Sequence, residues 1–114
     1  MYTPVGPYSP YIIAEPFVFL SGQIGLNSNG LSGDIKTETA ICIDNLNALL
    51  SQLNLDLTNI VKTTVFLTDI NHYDSMNEIY MEKFVTQRPA RSAVVVKELP
   101  IGALIEIEAI AKIN

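Results

Sequence analysis

Charge is scarce in this sequence. Only 17% of its 114 residues are Asp, Glu, Lys or Arg, against about 25% in an ordinary soluble domain. Part of the surface is therefore built for something other than water, and association with further copies of the chain is expected. The charge that is present runs acidic, with a formal net value of −5. Its seven basic residues, Lys36, Lys62, Lys83, Arg88, Arg91, Lys97 and Lys112, are dispersed except for the Arg88/Arg91 pair. No field able to gather a phosphate backbone results, and nucleic acid is not an expected partner.

Cysteine and histidine are nearly absent as well. The single cysteine, Cys42, can form no disulfide within the chain and fits a reducing compartment; within TAICIDNL it reads as a buried structural thiol. The single histidine, His72, reads as a solvated surface residue at the start of a helix. One of each excludes a Cys/His metal cluster and makes a Ser-His triad improbable. The glycines of SGQIGLNSNG lack the spacing and the lysine of a phosphate-binding loop. No apolar run is long enough to span a membrane. The N-terminal MYTPVGPYSPYII has no basic region followed by an apolar stretch, so no secretory signal is read there and a cytoplasmic location is expected.

What is there is a regular alternation of elements without a linker or repeat, sized for one compact domain over residues 1–114. FVFLS, residues 17–21, reads as a strand, with a second near Ile24 to Leu26. From Ile35 to Leu53 the apolar positions Ala40, Ile43, Leu46, Leu50 and Leu53 recur at threes and fours, which predicts a helix capped by Asp34 or Ser32. Residues 59–69, NIVKTTVFLTD, are β-branched and apolar on both alternate sets, as in a strand near the middle of a sheet. A second helix is predicted from Asn71, with Tyr73, Met76, Tyr80 and Phe84 as its buried stripe. RPARSAVVV and LIEIEAIAKI read as two final strands, and the seven residues between them suit an antiparallel hairpin. The sum is an α+β fold: a mixed sheet with two helices on one face.

The last strand is unusual. In LIEIEAIAKI one alternate set is apolar, but the other carries Glu106 and Glu108 on the face that no helix covers. Subunits are expected to meet on that face, with ligand clefts at the joints. The predicted hairpin sets Arg91 beside Glu106. Either they form an ordinary cross-strand ion pair, or the guanidinium grips a substrate carboxylate while Glu106 handles water or a proton.

Six blocks, PVGPYSP, FLSGQIGLN, IVKTTVFLTDI, MNEIY, RPARSAV and IEIEAIA, occur in an order and spacing that resembles the Rid (YjgF) family of reactive-intermediate imine deaminases, from about residue 4 to residue 112. The resemblance implies a chorismate-mutase-like fold assembled as a homotrimer, with clefts between subunits that bind a small 2-imino or 2-oxo acid. By matching blocks, Arg91 would hold the substrate carboxylate, Glu106 would position the hydrolytic water, and Tyr8 would assist. Ser21, Gly22, Asn77 and the backbone of Ala93 would complete the binding wall. The implied reaction is hydrolysis of 2-iminobutanoate or 2-iminopropanoate to the 2-oxo acid and ammonia, which needs neither a metal nor an organic cofactor. A non-catalytic protein that binds 2-oxo acids would use the same cleft. An RNA-cleaving or translation-inhibiting role, described for some relatives, is disfavoured by the acidic chain. The sequence departs from the family pattern at Ala93, where a cysteine is common, at Arg88, where a phenylalanine is common, and at Pro10 and Tyr11. It also leaves little room for the N-terminal strand that many relatives have.

Overall fold

Alternation along the last strand decides the layering. Ile105, Ile107, Ala109 and Ala111 are all buried, whereas Glu106, Glu108 and Ile110 are not, so this strand presents one fully dry face to the core. In the computed structural model, which describes residues 6–114, it is the central strand, β7 (Ile105–Lys112), of a five-stranded sheet. The others are β1 (Tyr11–Ala14), β2 (Phe17–Ile24), β5 (Ile60–Leu67) and β6 (Ala90–Val95), in the order β1-β2-β7-β5-β6. A short hairpin of β3 (Leu26–Asn27) and β4 (Gly30–Leu31) stands apart from it.

Helices α1 (Ile35–Ser51) and α2 (Tyr73–Lys83) provide the second layer. Asp34 caps α1 by accepting from the Thr37 N–H at 2.9 Å. The helix buries Cys42, Ile43, Leu46, Leu49 and Leu50 against Val18, Leu20, Ile105 and Ile107, each large aliphatic side chain contributing about 1.5–3 kcal/mol. Cys42 is the structural thiol expected: it is buried, its Sγ lies 3.7 Å from the Ile105 carbonyl, and burial pushes its pKa well up.

A buried carboxylate joins the layers. Glu38, completely buried in the first turns of α1, accepts from Leu104 N–H at 2.9 Å and Gly33 N–H at 3.0 Å. The turn after β2 closes directly on this residue: a Cβ on Gly25 would lie 2.6 Å from the Glu38 Cα. Only glycine lets the backbones approach so far.

Several expectations are corrected. β6 and β7 do not form a hairpin; β6 runs parallel to β5 while β7 is inserted, antiparallel, between β2 and β5. The reason is burial. β7 needs neighbours on both sides to satisfy the backbone of a strand dry on one face, whereas β6, mostly exposed, is suited to the edge, and β5-α2-β6 makes the crossover that parallel pairing requires. The N-terminal strand is present as β1, antiparallel to β2. α2 starts later than expected, after a 3₁₀ turn whose cap is Asp69 rather than Asn71. Tyr73 of its stripe is exposed while Met76, Tyr80 and Phe84 are buried. His72 is half-buried rather than solvated.

Candidate functional site

The sheet separates the expected site residues into two groups. Arg91 stands opposite Thr63 on β5, and Thr63 points into the helix layer, where its hydroxyl lies 2.7 Å from the Tyr80 hydroxyl. Glu106 stands opposite Phe66. Positions 63 and 66 differ in parity, so Arg91 belongs to the helix face and Glu106 to the uncovered face. With β5 also between their strands, the cross-strand ion pair that the hairpin would have allowed does not form; the ion pairs among the described residues are Lys36–Glu78 and Lys83–Asp44.

The first group surrounds Arg91. One terminal nitrogen of its guanidinium donates to Asn77 Oδ1 at 2.8 Å and lies 3.8 Å from Met76 Sδ; the other donates to the Tyr73 hydroxyl at 3.2 Å. Its carbon is 4.8 Å from the centre of the Tyr80 ring and 5.7 Å from that of Tyr73, within cation–π range. All these partners are neutral. The side chain is held in place while its charge is left for an anion, and a planar guanidinium suits a carboxylate with two parallel hydrogen bonds. Ala93, two residues along the same face, is half-buried against the core. Val96 N–H bonds to Leu67 of β5, so by the alternation of a parallel ladder the Ala93 N–H is directed to the open edge beside Arg91.

The second group surrounds Glu106. β2 carries a bulge between Leu20 and Gln23, which contains Ser21 and Gly22. A Cβ on Gly22 would fall 2.8 Å from Glu106 Cδ and closer still to Oε2, so the carboxylate rests on the glycine backbone. Burial, and to a smaller extent the neighbouring Glu108, raises the pKa of Glu106 above the ordinary carboxylate value. Ser21 ties down the segment bearing Tyr8: its hydroxyl donates to the Ser9 carbonyl at 2.6 Å and its N–H to the Pro10 carbonyl at 2.9 Å. Tyr8 itself is 42% exposed.

Of the expected residues, then, Arg91, Asn77 and Ala93 are brought together, as are Glu106, Gly22 and Ser21, with Tyr8 on the adjoining segment. Sequence reasoning missed the hold of Tyr73, Met76 and Tyr80 on Arg91. Their helical spacing was the available signal, but it is equally the signature of a core stripe. No cluster of His, Cys, Asp and Glu suited to a metal occurs among the described residues.

The family model described as endoribonuclease L-PSP matches residues 2–113. The chain belongs to the Rid (YjgF) family. It is 44% identical over 111 residues to a RutC family protein of Pyrococcus abyssi, covering 95% of this chain and 87% of that one. It is 43% identical over 110 residues to the human protein named 2-iminobutanoate/2-iminopropanoate deaminase, covering 94% and 80%. Among solved structures, the YjgF gene product of E. coli superposes with a TM-score of 0.93 at 34% identity, covering 97% of this chain and 91% of that chain. The fold of this Rid protein is thus the α+β, chorismate-mutase-like one. No helix among its described residues is long and apolar enough to cross a membrane.

Proposed function

We propose that this protein hydrolyses small 2-imino acids, such as 2-iminobutanoate and 2-iminopropanoate, to 2-oxo acids and ammonia, in clefts between the subunits of a homotrimer. One protomer contributes Arg91, Asn77 and the Ala93 N–H; its neighbour contributes Glu106, Gly22, Ser21 and Tyr8. The observation that carries the reading is the state of Arg91: a guanidinium oriented by Asn77 and Tyr73 with no carboxylate among the described residues to neutralise it.

The chemistry asks little of the protein. Arg91 holds the substrate carboxylate and so places C2, which is already electrophilic, at the neighbour's Glu106. Ionised Glu106 takes a proton from water as its oxygen bonds to C2 and the C=N electron pair moves to nitrogen. That proton, passed on to nitrogen with Tyr8 assisting, completes a carbinolamine; the remaining proton of the C2 hydroxyl then moves to nitrogen, and the C–N electron pair departs with ammonia as the C2 oxygen becomes the carbonyl. Water and imine are consumed, one 2-oxo acid and one ammonia appear, and no electrons are transferred to or from a cofactor. The assembly is supported by the uncovered sheet face, where Ile12, Phe17, Phe19 and Val94 are exposed.

The test is to generate the imine in situ with an amino-acid oxidase and follow its loss with a trapping reagent. Purified protein should accelerate the loss and Arg91→Ala should abolish the effect. Binding of 2-oxobutanoate without any acceleration would replace this reading with that of a non-catalytic binding protein.

A further inference from the structure

We infer that Arg88 makes this site selective for 2-imino acids that carry a second carboxylate; the inference rests on the proposed role of Arg91 and extends it to substrate class. Between α2 and the start of β6 lies a cleft of about 340 Å³ lined by Asn77, Tyr80, Met81, Arg88, Pro89 and Arg91. It holds two guanidinium groups in a chain whose net charge is −5. Neither has an acidic partner: the ion pairs among the described residues engage Lys36 and Lys83. The two differ in one respect. Arg91 is anchored by Asn77 and Tyr73, whereas Arg88 is exposed and makes no hydrogen bond, ion pair or ring contact with any described residue.

Like charges are placed together without counter-charge at a cost, which an anion in the cleft would offset. One carboxylate occupies the fork of Arg91; a monocarboxylic substrate then leaves Arg88 with only an alkyl group to face. A short dicarboxylic 2-imino acid satisfies both cations, with its methylene chain against Tyr80, Met81 and Pro89. Pro89 also restrains the backbone of Arg88 to extended conformations, which narrows the directions in which its side chain leaves the lining of the cleft. Met81, 53% exposed, gives this wall a side chain that can adapt to chain length.

Calorimetric titration of the native protein with 2-oxoglutarate and 2-oxobutanoate tests the inference, because these differ by the second carboxylate. The dicarboxylate should bind about tenfold or more tightly. Arg88→Gln should bring the ratio of the two affinities close to one, and Arg88→Lys should retain an intermediate ratio. The ratio of kcat/KM for the imines made by oxidases from glutamate and from 2-aminobutanoate should change in the same sense. A wild-type ratio of one or below, or a ratio that Arg88→Gln leaves unchanged, overturns the selectivity. Arg91→Ala separates that result from failure of the underlying site: it should abolish binding of both oxo acids, and if both still bind, Arg91 is not the carboxylate anchor and the assignment of Arg88 falls with it.

Discussion

The carboxylate of Glu106 lies directly over the backbone of Gly22, inside the space that any side chain at position 22 would need. The bulge in β2 and the bare Cα together make the seat on which this acid rests. Gly22→Ala should displace the carboxylate without disturbing the core, since the group that must yield is the end of a flexible, half-buried side chain. Imine hydrolysis is expected to fall about tenfold or more, as for a misplaced catalytic group, while the melting temperature changes by only a few degrees.

Glu106 also sets a pH dependence. Its pKa is raised from the ordinary 4.5 by burial and by Glu108, so the native protein holds this proton at pH values where the unfolded chain has released it. The associated stability is fully present below the unfolded pKa and is lost as pH rises through the folded value. Activity that needs the ionised form rises over the same interval. Glu108→Gln should move the acidic limb of the kcat/KM profile to lower pH, and Glu106→Gln should remove that limb together with most of the rate.

Opposite-face placement makes the proposed sharing of the site between subunits testable by mixing. Arg91→Ala and Glu106→Gln should each be inactive alone. Unfolded together in equal amounts and reassembled, they should recover about a quarter of wild-type activity, because in a closed ring each cleft has that chance of receiving both intact residues. If Arg91 and Glu106 acted within one protomer, the mixture would stay as inactive as its components.

Glu38 carries a prediction about stability rather than rate. Its two carboxylate oxygens accept from the backbones of Gly33 and Leu104 in a completely buried position. Glu38→Ala leaves both N–H groups without their acceptor and should cost about 2–4 kcal/mol, read as a lower urea midpoint with an unchanged slope.

Much of the fold was legible because local periodicity reports burial. The threes and fours of Ile43, Leu46 and Leu50, and the alternation of Ile105, Ile107 and Ala109, mark buried faces that the structure has. Strand neighbours were not legible, since a seven-residue connection is compatible with a hairpin and only competition for the centre of the sheet separates β6 from β7. Glu38 was missed for a related reason: one acidic residue in the first turn of a helix reads as a favourable end charge, and its two partners come from distant turns.

By itself, the sequence determined the composition of the layers, the burial of Cys42, the shortage of surface charge and, through its six blocks, the family. Those are properties of short segments, decided by spacing and side-chain type. Only the tertiary structure decided that Arg91 and Glu106 face apart, that Tyr73 and Tyr80 flank the guanidinium, and that Arg88 shares its cleft. The physical reason is that a strand's facing is known only once its place and register in the sheet are known. Inserting β7 between β2 and β5 leaves Arg91 on the helix face and Glu106 on the bare one, which is why the proposed site, using both, calls for a second copy.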